Sequence, residues 1–221
     1  MILERELAGE IETDDTAELP IPPEDIARYQ GLRMSFEEFI GWDAGVYADW
    51  IAGEIMLLNT PNIAHQEMSG FLHIIMGAYA SIRGLGKVYA SPVTVKLVNS
   101  ASHPDLIFVS QTNPAPLRRN YLDGAPDIAV EIASRSTRKT DNEDKFREYQ
   151  QAGVGEYWRF DRAKRLAQFH RLDSEGKFQP MPIENGVFVS ETLPGFTLRT
   201  EWLWDAPLTR VPDALRAMQL A

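Results

Sequence analysis

A mixed α/β domain of the α+β type, a mixed sheet with antiparallel hairpins flanked by helices, is the fold class this sequence predicts. Two observations point to it. The apolar period changes after Gly86 from helical spacing to the alternation of half-buried strands, with turn residues between successive runs. Hydrophobic residues make up 44% of the 221, enough for a real core in one large domain with appendages.

The elements follow in order. Residues 1–24 are acidic, poor in aromatics and close on Pro20, Pro22 and Pro23, so they read as a flexible arm. The domain is expected over 25–205. Ser35-Phe36-Glu37-Glu38 is a capping-box pattern that starts a short helix. Val46 to Leu58 reads as two strands turning at Ala52-Gly53. After Pro61, Ala64, Met68, Phe71, Ile75, Tyr79 and Ile82 recur at helical spacing until Gly84 and Gly86 stop the helix. Strands are expected at Lys87–Ala90, Val93–Val98, Asp105–Ser110 and Asp127–Ala133. A helix from Asp141 to Ala152 ends at Gly153, and strands return at Glu156–Asp161, Leu166–Leu172 and Lys177–Ile183. Residues 206–221 form a short helical tail.

Composition removes several classes of function. Without cysteine there is no disulfide framework, thiolate zinc site or thiol nucleophile. No apolar run is long enough to span a membrane, and the first residues lack a secretory pattern, so the expected compartment is the cytoplasm. The net charge of −10 is mostly local: residues 1–30 hold nine acids against two bases, net −7, leaving −3 for the rest. A nucleic-acid partner would need a basic face, and the densest patch is Arg135, Arg138 and Lys139 in Ser134–Asp141, followed by Lys145. A solvated charged loop explains that patch as well.

Glu131 stands in the middle of an otherwise apolar strand, where an unpaired carboxylate is costly and a cation, metal or water is expected. Asp105 opens the apolar strand Leu106-Ile107-Phe108-Val109. Two converging strand carboxylates suit a hard cation such as Mg²⁺ or Mn²⁺. The plainer alternative is that Glu131 pairs with Arg135, Arg138 or Lys145 and that Asp105 caps a turn.

Gly-Ala-Pro-Asp-Ile-Ala-Val-Glu-Ile-Ala-Ser-Arg-Ser-Thr at 124–137, Asp141 with Lys145, and Ala152-Gly153-Val154-Gly155-Glu156-Tyr157-Trp158 together resemble the Uma-two family. That family is endonuclease-like and belongs to the PD-(D/E)XK restriction-endonuclease-like superfamily. The resemblance extends through His103-Pro104-Asp105-Leu106-Ile107-Phe108-Val109-Ser110, Ile51-Ala52-Gly53-Glu54-Ile55, Thr60-Pro61 with His65, and Leu193-Pro194-Gly195-Phe196. It spans about residues 33–205 and implies a restriction-endonuclease-like core.

The resemblance also implies roles. Asp105 is the aspartate of the Pro-Asp motif and a metal ligand; Glu131 is the acid of the (D/E)XK element, with the Ile132 carbonyl as a further ligand. Glu54 matches an upstream acidic position that helps bind metal or orient water. The lysine of E-X-K is replaced by Ala133, and Lys145 on the following helix supplies the charge instead. Arg135 stands where the family usually has proline. His65, Arg135, Arg138 and Lys139 are candidate substrate contacts, although His65 is equally well read as a packed histidine. The function implied is Mg²⁺-dependent hydrolysis of DNA phosphodiester bonds, with no membrane partner and with a homodimer suggested. The alternative is an inactive binding module that keeps the nuclease fold, which the acidic tail, Ala133 and the weak basic balance favour.

Overall fold

The computed structural model describes residues 21–133, 141–205 and 207–220. Ser134–Thr140, with Arg135, Arg138 and Lys139, and most of the acidic arm lie outside them. Ile21 packs against a small apolar cluster, and Pro23 occupies the first turn of helix α1 (Pro23–Tyr29), where its missing N–H costs nothing.

Helix α2 (Phe36–Ile40) has both reciprocal bonds of the predicted capping box. Strands β1 (Ala48–Ile51) and β2 (Glu54–Leu57) form the predicted hairpin, and Ala52 and Gly53 both take positive φ in its turn. The long helix α3 (Ile63–Ile82) is capped by the Asn62 side chain. Then come β3 (Gly86–Ala90), β4 (Thr94–Lys96), β5 (Ser100–Ser102), β6 (Leu106–Ser110), β7 (Tyr121–Asp123) and β8 (Ile128–Ile132). Helix α4 (Asp141–Ala152), β9 (Glu156–Asp161) and β10 (Leu166–Leu172) follow. The chain ends with β11 (Phe178–Pro180), β12 (Ile183–Glu184), β13 (Val187–Val189), β14 (Thr197–Arg199), a 3₁₀ turn at Thr200–Leu203 and α5 (Val211–Ala217).

The central sheet has strand order β11-β10-β9-β8-β6-β3, a second sheet runs β2-β1-β5-β4-β7, and β12-β13-β14 form a third. Alternation along β8 fixes what covers the central sheet. Ile128, Val130 and Ile132 join Met68, Leu72, Ile75 and Met76 of α3 on one side. Ala129 joins Val95, Leu122, Tyr149 and Tyr157 on the other, where α4 and the second sheet lie. Glu131 shares that second face. A mixed α+β domain is therefore what the chain forms.

Two strands depart from the expected runs. Lys177–Ile183 is two strands, because Pro182 has no N–H to continue the ladder. Strand β5 reads Ser-Ala-Ser without apolar alternation, yet it is buried between β1 and β4. The central sheet is mixed, as expected: beside its hairpins, β8 and β9 run parallel, with α4 as the crossover that such a pair requires. Among the described residues no helix is long and apolar enough to cross a membrane.

Candidate active site

The site lies where the start of β6 meets the end of β8. These strands are antiparallel, with Leu106 opposite Val130, so the residue before β6 stands beside the residues that close β8. Asp105 Oδ2 accepts a 2.7 Å hydrogen bond from the Ile132 N–H. The second Pro-Asp, Asp127, lies at the far end of the same strand pair. It accepts from the Ser110 N–H, the Ser110 hydroxyl and Asn113 Nδ2, so it secures a turn and takes no part in the cluster.

Glu131 is held from α4. Lys145 Nζ lies 2.9 Å from its Oε2, and the buried Tyr149 hydroxyl donates to Oε1 at 2.7 Å. Lys145 and Tyr149 are four residues apart and so share one helix face, which sets both against the β8 carboxylate. Burial raises the Tyr149 phenol well above its ordinary value and the Glu131 charge adds to that, so the hydroxyl stays a donor.

His65 reaches the same point from the first turn of α3, its Nε2 3.2 Å from Asp105 Oδ1. Burial by itself depresses the imidazole. The Asp105 hydrogen bond and charge, a hydrogen bond with the Ile132 backbone and the Glu131 charge outweigh it and raise the pKa. His65 Nδ1 is buried with no hydrogen-bond partner. These residues, with Tyr47 and Asn59, line a cavity of about 50 Å³.

A further layer holds the Pro-Asp turn. Asp49, 2% exposed on β1, accepts from the His103 backbone N–H and from His103 Nδ1, both at 3.0 Å, while His103 Nε2 meets the Thr94 hydroxyl at 3.1 Å. Asp49 escaped the sequence reading, although it carries the signal that marked Glu131: a carboxylate inside a short strand with apolar neighbours. Tyr149 was missed for a different reason, since nothing in a helical Glu-Tyr-Gln separates a ligand-holding phenol from a core one.

Asp105, Glu131, Ile132, Lys145 and His65 are thus brought together. Glu54 is not among them. It pairs with Arg33 on the surface, its side chain 44% exposed, and does not line the cavity. Arg135, Arg138 and Lys139 lie outside the described residues.

Two carboxylates and a backbone carbonyl make an all-oxygen donor set, which fits Mg²⁺ or Mn²⁺ completing its shell with water. The protein supplies few ligands: no group of three or more His, Cys, Asp or Glu among the described residues could hold a metal ion. Asp105 and Glu131 with the Ile132 carbonyl are the atoms that would bind one.

Residues 36–201 match the profile of the Uma-two family, described as "Putative restriction endonuclease". The chain belongs to the Uma-two family. Among solved structures, the Uma-two fold seen here is similar to the crystal structure of a "putative nuclease belonging to DUF820" from Anabaena variabilis. The two are 15% identical, with a TM-score of 0.66, over 77% of this chain and 97% of that one. At that identity the likeness is one of fold. No curated protein matches this Uma-two chain.

Proposed function

We propose that this protein is a divalent-metal-dependent endonuclease that hydrolyses phosphodiester bonds of DNA, working in the cytoplasm. The observation that carries the reading is the meeting of Asp105, Glu131 and Lys145, from two strands and a helix, at one small cavity. A bound Mg²⁺ or Mn²⁺ would lower the pKa of a water molecule and neutralise charge on the phosphate.

The chain's own residues supply the rest. Asp105 and Glu131 fix the acidic edge of the site. Tyr149 and the Ile132 N–H hold those two carboxylates in place. Lys145 offers an ammonium that orients the attacking water and offsets charge growing on the phosphorus oxygens, the task of the lysine absent from position 133. His65 keeps Asp105 paired before substrate arrives. Arg135, Arg138 and Lys139, next in sequence to β8, are proposed to meet the DNA backbone.

The test is incubation of purified protein with supercoiled plasmid and with single-stranded DNA in Mg²⁺ or Mn²⁺. Cleavage that Glu131→Gln abolishes supports the reading; intact DNA at every protein concentration overturns it. A second reading, an inactive module with the nuclease fold, is favoured by one observation: both Glu131 oxygens are already held by protein groups. Calorimetric titration of Mn²⁺ separates the two, since the endonuclease should show micromolar binding that Glu131→Ala removes, whereas an inert module should show none.

A further inference from the structure

We propose that the larger cavity beside Asp105 is a subsite for one unstacked nucleobase of the strand held at the carboxylates. For its substrate class the idea rests on the endonuclease reading. The cavity measures about 410 Å³, within the range of small-molecule sites, against about 50 Å³ for the space at Glu131. Tyr47, Pro61 and Asp105 line both, so a group entering the larger space is continuous with one at the smaller.

The lining selects the ligand. Among the described lining residues Asp105, at the shared mouth, is the only acidic side chain, none is Lys or Arg, and His73 is the one imidazole. With Asp105 at its edge and no described Lys or Arg to hold a phosphate, the space suits a neutral ring better than an anion. Gln66 and the hydroxyls of Ser69 and Ser91 offer donors and acceptors together, which suits the hydrogen-bonding edge of a heterocycle. Pro61, Pro92 and Tyr47 supply flat apolar surface of the kind against which extruded bases pack.

Gly70, exposed on the face of α3 that lines the cavity, marks where a larger side chain would enter the space. It sits inside the 20-residue helix α3, where glycine weakens a helix relative to alanine. It is not among the glycines with positive φ, and a Cβ built there meets no atom within 4 Å. Neither backbone nor packing therefore requires glycine at this position. Its absent side chain leaves room in the cavity it lines.

The test is NMR titration of the labelled protein with the four 2′-deoxynucleosides, free of phosphate and metal. The expected result is saturable shifts of the Gln66, Ser69, Gly70 and Ser91 amides at millimolar ligand for at least one nucleoside. Gly70→Phe should weaken that binding at least tenfold, with Gly70→Gln as a second filling variant should phenylalanine impair folding. Gly70→Ala, which spares most of the space, should bind like the wild type. Shifts absent with all four nucleosides, or unchanged affinity in a folded filling variant, would overturn the proposal even if plasmid is cleaved. Nucleoside binding by a protein that cleaves no DNA would support the base subsite and overturn the endonuclease reading instead.

Discussion

Lys145 Nζ lies 2.9 Å from Glu131 Oε2, so the strand carboxylate takes its cationic partner from helix α4. The two side chains are 13% and 11% exposed, and solvent screens the pair only weakly. Removing one member leaves a buried charge without its partner. Lys145→Met should therefore lower stability by about 3 kcal/mol and slow DNA cleavage by roughly 10²- to 10³-fold. Urea denaturation and initial cleavage rates measure the two effects. An unchanged cleavage rate in a folded Lys145→Met protein would show that the ammonium serves structure alone.

Tyr149 acts on the other oxygen of the same carboxylate. Its hydroxyl is buried and donates to an ionised acceptor, a bond worth about 1.5–3 kcal/mol. Tyr149→Phe keeps the ring contacts with Tyr157 and should lose that amount of stability in urea. Its effect on cleavage should be smaller than that of Lys145→Met, because the phenol bonds to Glu131 and has no charge to offer in the proposed reaction.

Most of the fold was legible in the sequence where one face of an element is apolar. The repeat from Met68 to Ile82, the Ser35–Glu38 box and the alternation of β8 are local signals, and each element formed within a few residues of its expected place. What was not legible depends on neighbours far along the chain. Strand β5 is a strand because β1 and β4 flank it, and the parallel pairing of β8 with β9 is set by the packing of α4. The meeting of Asp105 with Glu131 was expected from motif order, since hydropathy cannot place two strand ends together. Spacing could not show that His65, Tyr149 and Asp49 hold the acids and their turn.

His170 gives a pH dependence away from the site. It packs among Phe146, Tyr157 and Phe178, where burial pushes its pKa below the ordinary 6.5 against the opposing hydrogen bond with the Tyr157 backbone. The folded protein thus binds fewer protons here than the unfolded chain does. The neutral ring's contribution is fully present above the unfolded pKa and is lost as pH falls through the depressed folded value. The stability difference between the wild type and His170→Phe should shift against the wild type from about pH 7.5 to about pH 5. A pH-independent difference would mean that the imidazole titrates alike in both states.

Gly195 illustrates a backbone requirement inside one of the recognised sequence blocks. It sits at φ +82°, and a Cβ there would come within 2.5 Å of the Tyr79 hydroxyl, which donates to the Pro194 carbonyl at 3.0 Å. Gly195→Ala should cost about 2 kcal/mol through backbone strain and displacement of that hydroxyl. Adding Tyr79→Phe removes the oxygen in the way, so the double variant should lose less than the sum of the single losses. Strict additivity in urea would place the whole cost in the backbone.

Glu54 and Asp49 form the contrast that tests how the acids divide between surface and site. Glu54 pairs with Arg33 at an exposed strand end, where such pairs contribute less than about 1 kcal/mol. Glu54→Gln should leave metal binding and cleavage within about twofold of the wild type, because about 1.4 kcal/mol is needed for a tenfold change and nothing ties this side chain to the cavity. Asp49 is buried and joins the backbone and ring of His103, two residues from Asp105. Asp49→Ala leaves the His103 donors unmet, should cost about 2 kcal/mol and loosens the turn that aims Asp105 at Ile132. Its cleavage rate should fall at least tenfold at a temperature where the variant remains folded. If Glu54→Gln proves the more damaging of the two, the site extends to the edge of the second sheet and the Asp105–Glu131 cavity is only part of it.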